Sequence, residues 1–164
     1  MKVGILTVSD KGARGEREDR SGPAVRELIE SAGGVVVRTK IVADEPDDIR
    51  AALIAWAAED LDVVLTTGGT GFSPRDRTPE ATKSVLEREA PGLAEAMRRA
   101  GAEKTPTAIL SRAAAGIRGG TIIVNLPGSE KGARESLAAV LPALPHAVEI
   151  LKGPPRDCAK PPGS

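Results

Sequence analysis

Short apolar, β-branched runs recur along this chain, and each is followed by a polar stretch and then by apolar residues at helical spacing. Lys2–Val8 ("KVGILTV"), Val35–Val42, Leu61–Thr67 and Gly119–Gly128 read as strands. Ser21, Gly22 and Pro23 open a helix carrying Val25, Leu28 and Ile29 on one face and ending at Gly33-Gly34. Asp47–Glu59 places Ile49, Leu53 and Trp56 on one helical face, a packing pattern. A helix starts at Thr78, read as its cap with Pro79 at the first position, and carries Val85 and Leu86 inward. Pro91–Ala100, a segment from Ser129 to about Leu141, and Pro142–Lys152 complete the helices, while part of Thr107–Ile117 reads as extended. Strands alternating with helices predict an α/β fold. The expected form is a three-layer α/β/α arrangement with a mostly parallel, doubly wound sheet. It forms a single compact domain over residues 1–152, followed by a Pro-rich tail over 153–164.

Composition narrows the function. At 164 residues the chain suits one domain, which buries roughly 70% of its unfolded surface without staples. Lys plus Arg and Asp plus Glu each number 23, which argues against a nucleic-acid binder held by phosphate charge. One Phe, one Trp and no Tyr leave no platform for base stacking. The lone cysteine, Cys158, cannot form an internal disulfide, which points to a reducing cytoplasm. No apolar stretch approaches the ~18 residues of a membrane span, and Met1–Val8 does not read as a signal peptide. Gln is absent and Asn125 is the only Asn.

In an open parallel sheet, ligands bind beyond the carboxyl ends of the strands. Ser9 and Asp10 follow the first strand, and Asp44 and Glu45 the second. Gly68, Gly69, Thr70, Gly71, Ser73 and Asp76 follow the third, and Asn125, Pro127, Gly128 and Ser129 close the last. Glycine-rich backbone and the helix start at Thr78 together suit an anion such as phosphate. Asp76 would repel that anion unless a cation lies between them, and Mg²⁺ takes carboxylates together with phosphate oxygens. Arg75, Arg77 and Lys131 offer further positive charge. The same spacing also fits a plain strand-to-helix turn with Asp76 solvated, and Asp44, taken alone, reads first as a helix cap near Pro46. No Gly-Lys-Ser/Thr follows the glycines, and Pro74 occupies the third glycine position of a dinucleotide fingerprint, so neither common nucleotide motif is present. Glu16–Arg20 ("EREDR") reads as a solvated charge run, and His146 as an ordinary helical histidine.

The run "TTGGTGFSPRDRTPEAT" (Thr66–Thr82) resembles the hallmark of the molybdenum-cofactor biosynthesis family that includes the bacterial MogA and MoaB proteins and gephyrin. That hallmark is Gly-Gly-Thr-Gly, a spacer, then Asp-x-Thr-Pro-Glu-Ala. "ILTVSDKG" (Ile5–Gly12), "DRSGP" (Asp19–Pro23), "VADE" (Val42–Glu45), "TAILSRA" (Thr107–Ala113) and "NLPGS" (Asn125–Ser129) match family segments in order. The spacer Phe72-Ser73-Pro74 departs from the commoner form. The resemblance implies a homotrimeric molybdopterin adenylyltransferase: a pterin phosphate attacks the α-phosphorus of ATP, giving adenylyl-molybdopterin and pyrophosphate. It implies that Asp44 and Asp76 are the two essential aspartates, here assigned as Mg²⁺ ligands. It also implies substrate binding by Ser111, Asn125, Thr78 and the glycines, and contact with other enzymes of the pathway. Some MoaB-type relatives depart at the aspartates, whereas this chain keeps both. The competing expectation is a non-catalytic molybdopterin-binding or scaffold protein; a third is a related domain acting on another nucleotide.

Overall fold

The computed structural model describes residues 1–154, so Cys158 and nearly all of the expected tail lie outside the described residues. Its strands are β1 (Lys2–Val8), β2 (Val35–Val42), β3 (Val63–Thr67), β4 (Arg88–Glu89), β5 (Ala115–Arg118) and β6 (Thr121–Leu126). They form one sheet in the order β2-β1-β3-β6-β5-β4. β1 pairs in parallel with β2 and β3, and β3 with β6. The expected parallel sheet therefore holds for four strands. The antiparallel hairpin of β5 and β6, with two-residue β4 beyond it, adds an antiparallel edge.

Alternation along the strands divides the core in two, as a pleat requires. Val3, Ile5, Val63, Leu65, Ile122, Val124 and Leu126 face one side. There they meet α2 (Ser21–Ser31), α5 (Pro91–Ala102), α6 (Glu130–Val140) and α7 (Leu144–Lys152). Leu6, Val8, Val64 and Ile123 face the other side, against α3 (Pro46–Ala57) and Ala81 of α4 (Thr78–Lys83). Helices thus cover both faces, giving the three-layer α/β/α class. Trp56 and Leu53 are buried packing residues of α3, as their spacing predicts.

Several local expectations change. The charged loop after β1 contains a short helix, α1 (Asp10–Ala13), capped by the Ser9 hydroxyl, which accepts from Gly12 N–H. Thr78 does not cap α4: the helix is preceded by Arg77, and no side chain caps it. That helix stops at Lys83, so Val85 and Leu86 pack beyond it. Asp44 does not cap α3 either; Glu45 occupies the cap position. The ambiguous Thr107–Ile117 stretch divides between a 3-10 turn (Pro106–Leu110) and β5. Ser129 does cap α6, accepting from Gly132 N–H at 3.0 Å.

Candidate active site

The chain leaves β1 toward β2 on one side and later enters β3 on the other, so a crevice opens at the carboxyl end of β1 and β3. Gly68 and Gly69 continue from β3 with φ of +95° and +64°. This left-handed backbone turns the loop sharply across the strand ends. A Cβ on Gly69 would lie 2.2 Å from Thr78 Oγ1 and 3.2 Å from Asp44 Oδ1, and one on Gly71 would lie 2.9 Å from Asp76 Oδ2. The glycine loop therefore runs close past each carboxylate in turn, and Asp44 and Asp76 line the same polar cleft of about 620 Å³.

That cleft is one of two adjoining cavities. It runs past Thr7, Ser9, Asp19, Ser21, Thr67 and Gly68. A second cavity of about 480 Å³ is more apolar, with Met97, Ala108, Leu110 and Ala113 beside Thr70, Ser111, Pro127 and Lys131. Gly69, Asp76, Gly128 and Ser129 line both, forming the ridge between them.

Asp44 and Asp10 are tied reciprocally across 34 residues of sequence. Asp10 N–H donates to Asp44 Oδ2 at 2.7 Å, and Asp44 N–H donates to Asp10 Oδ1 at 3.0 Å. The Arg75 guanidinium donates to both Asp10 oxygens and to Glu45, and its hydrogen bond holds the Asp10 carboxyl below the usual range. Asp44 is pushed the other way. Burial raises its pKa, the Asp10 N–H opposes that, and the charges of Asp10 and Asp76 raise it again. The Arg75 charge, the smallest of these influences, lowers it. Thr78 Oγ1, behind Gly69, is the buried side-chain polar atom without a partner among the described residues.

The sequence-predicted residues divide into three groups. Asp44, Asp76, Ser9, Gly68, Gly69, Thr70, Gly71, Ser111, Pro127, Gly128 and Ser129 line one or both cavities. Asp10 and Thr78 stand directly behind that wall, Asp10 bonded to Asp44 and Thr78 against Gly69. Asn125 is not at the surface at all. It is 0% exposed, with its amide nitrogen donating to Thr66 Oγ1 at 3.0 Å and Thr82 Oγ1 at 2.8 Å. Its oxygen accepts from Ala114 N–H at 3.1 Å. Both donors and the oxygen are engaged, so Asn125 joins β3, β6, α4 and the approach to β5 rather than offering hydrogen bonds to a ligand.

Two contributors do not stand out in the sequence. Asp19, in the run read as solvated charge, accepts from Thr7 Oγ1, Ser21 Oγ and Gly22 N–H and so fixes the entrance of α2 at the cleft. An acid three residues before a glycine that opens a helix is a legible capping signal. Arg112 spans the glycine loop from the side, and nothing local to its sequence foretells that reach.

The chain matches a known family. The family described as "Probable molybdopterin binding domain" matches residues 4–146. A molybdopterin adenylyltransferase of Helicobacter pylori (strain J99) is 46% identical over 156 residues, covering 93% of this chain and 89% of that one. One from Escherichia coli K12 is 36% identical over 169 residues, covering 94% of this chain and 87% of that one. The crystal structure of the molybdopterin biosynthesis enzyme MoaB from Thermus thermophilus superposes with a TM-score of 0.89 at 58% identity, covering 95% of this chain and 99% of that one. A family match over residues 4–146, with relatives 36–58% identical over nearly the whole chain, makes this chain a member of the molybdopterin-binding domain family.

Proposed function

We propose that this protein is a molybdopterin adenylyltransferase of molybdenum-cofactor biosynthesis. The observation that carries the reading is the placement of Asp44 and Asp76 against one glycine loop, in a cleft that meets a second cavity at Asp76. Two substrates seated in adjoining cavities bring their phosphates together at that ridge. A terminal phosphate oxygen of molybdopterin forms a bond to the α-phosphorus of ATP, and the bond from that phosphorus to the β-phosphate oxygen breaks. Pyrophosphate departs with the electron pair. The attacking phosphate is already ionised at neutral pH, so the site has to position and neutralise rather than abstract a proton.

Asp44 and Asp76 fit a divalent cation. Both are acids lining one cleft, and burial together with neighbouring negative charge disfavours an ionised Asp44 standing alone. No cluster of three or more His, Cys, Asp or Glu suited to a metal occurs among the described residues, so phosphate oxygens and water would complete the shell, as Mg²⁺ prefers. An ion held there would supply positive charge against the phosphates. The glycine loop and Ser129, at the start of α6, orient the phosphates, and Lys131 adds charge on the side of the apolar cavity.

The test is to mix purified protein with molybdopterin, ATP and Mg²⁺ and measure pyrophosphate. Release dependent on all three is expected. Tight pterin binding with no pyrophosphate would replace the enzyme with a pterin-binding or scaffold protein.

The reading includes a homotrimer working in the cytoplasm. No helix among the described residues is long and apolar enough to cross a membrane. Edge strand β2 has no neighbour on its outer side and leaves Val35, Val37 and Ile41 exposed along it. Light scattering should give three times the 16.9 kDa chain mass; a monomer at micromolar concentration would rule the trimer out.

A further inference from the structure

The loop from Thr70 to Asp76 carries one of the two site acids, yet it is largely exposed: Phe72 is 70% exposed and Ser73, Pro74 and Arg75 also face solvent. Within the loop, Asp76 Oδ2 accepts from Ser73 N–H and Asp76 N–H donates to Ser73 O, which makes a tight local turn but does not attach it to the body of the protein. On one flank Arg75 reaches to Asp10 and Glu45.

On the other flank the loop is gripped by Arg112. Its backbone N–H donates to Thr70 O at 2.9 Å. Its Nε donates to Gly71 O at 2.7 Å and its Nη2 to Asp76 O at 2.7 Å. Its Nη1 pairs with the carboxylate of Glu80, in the first turn of α4. The Arg112 backbone is held in turn: Arg98 of α5 donates from Nη1 to Ser111 O and Ala113 O, the carbonyls on either side of it, at 3.2 Å each.

A trans peptide points its N–H opposite to its C=O. Fixing the carbonyls of Thr70, Gly71 and Asp76 on Arg112 therefore aims the N–H groups of Gly71, Phe72 and Arg77 away from it. The peptide plane that follows Asp76 also limits how its carboxylate can tilt. Only a planar guanidinium, with several donors in a rigid fork, reaches two carbonyls and a carboxylate at once; a lysine ammonium on a flexible stem does not reproduce that fork.

We propose that Arg112 is a positioning residue for this site, holding the glycine loop and Asp76 in reactive geometry through three carbonyls and Glu80. The proposal rests on the adenylyl-transfer reading of the site. Arg112 touches no reacting atom; it acts through Asp76 and the loop amides. Misplacement of a reacting group by about 1 Å costs about 10²-fold in rate.

Arg112→Met and Arg112→Lys test it in the full-length protein. Arg112→Met should lower kcat by about 10²-fold, change the KM for molybdopterin by less than about threefold, and raise the Mg²⁺ concentration needed for half-maximal rate. Arg112→Lys should recover less than about tenfold of that loss, because charge without the fork is insufficient. A folded Arg112→Met protein with unchanged kcat and Mg²⁺ dependence overturns the proposal. So does full recovery by lysine. Amide hydrogen exchange without substrates supplies a second measurement: residues 71–77 should exchange faster in the Met or Lys variant while β1, β3 and β6 keep their protection. Unchanged exchange there also overturns it. This measurement is independent of turnover, so if wild-type protein releases no pyrophosphate the functional reading fails while the anchoring by Arg112 is still decided.

Discussion

Asp76→Asn is expected to abolish measurable pyrophosphate release while leaving molybdopterin bound. Asparagine keeps the shape and still offers an oxygen to Ser73 N–H, the local bond that Asp76 Oδ2 accepts at 3.0 Å. What disappears is one of the two acids, Asp44 and Asp76, that line the polar cleft. Without it the divalent cation proposed for this site would lose a ligand where both cavities meet. Removing a single group that stabilises transition-state charge costs about 10²–10³-fold in comparable sites, and loss of a metal ligand belongs at the upper end. Binding of pterin draws on the walls of a whole cavity, so its affinity should move by less than about threefold. Single-turnover release with labelled ATP and direct pterin titration separate the two effects. Wild-type turnover by Asp76→Asn would remove Asp76 from the chemistry. Equal loss of binding and rate would make it a residue of the pterin pocket instead.

Gly68→Ala should destabilise the protein by about 3 kcal/mol or more, the largest effect on stability expected from a one-carbon change here. Two independent terms act at this position. The backbone sits at φ +95°, where an L side chain is strained. The added Cβ would also lie 2.2 Å from the carbonyl oxygen of Val8, which is backbone at the end of β1 and has no rotamer by which to retreat. Relief requires β1 and β3 to part just where the cleft opens. Gly119→Ala is the matched comparison: φ is +55°, but nothing lies within 4 Å of the added carbon, so only the conformational term of about 1 kcal/mol remains. Urea denaturation of both variants reads the difference as a shift in midpoint at constant slope. Equal midpoints for the two would mean that the close approach of Gly68 to Val8 is not rigid.

The site was partly legible because parts of it are local. A glycine pair after an apolar strand, a carboxylate a few residues on, and Ser129 three residues before Gly132 announce a turn and a helix start within a single stretch of chain. The continuous apolar runs of β1, β3 and β6 likewise identify buried strands, since each residue's burial repeats along its own neighbours. Even the carboxyl-edge location follows from strand direction alone once the sheet is taken as parallel.

Hydrogen-bond partners were not legible. Thr78 looks like a cap in its local context, yet its hydroxyl ends buried behind Gly69 without a partner. Asp44 looks like a cap too, but its oxygen is taken by an N–H just beyond β1. Asn125 stands out by rarity and lies at a strand end, which favours a ligand role; packing instead closes Thr66, Thr82 and Ala114 around it. The antiparallel edge is not legible either: β5 is four residues at the end of an ambiguous stretch and β4 is two, too short to leave a periodicity.

By itself, then, the order of residues determined the layers, the parallel core of the sheet and the glycine turn. Those are properties of short windows, where periodicity, glycine and capping act over a few residues. Tertiary structure alone decided that Asp44 and Asp76 flank one loop, that Asn125 is sealed inside, and that Arg112 grips the loop from outside. Each of those depends on which distant carbonyl or N–H a polar group meets after the chain has closed, and that is set by packing of segments remote in sequence.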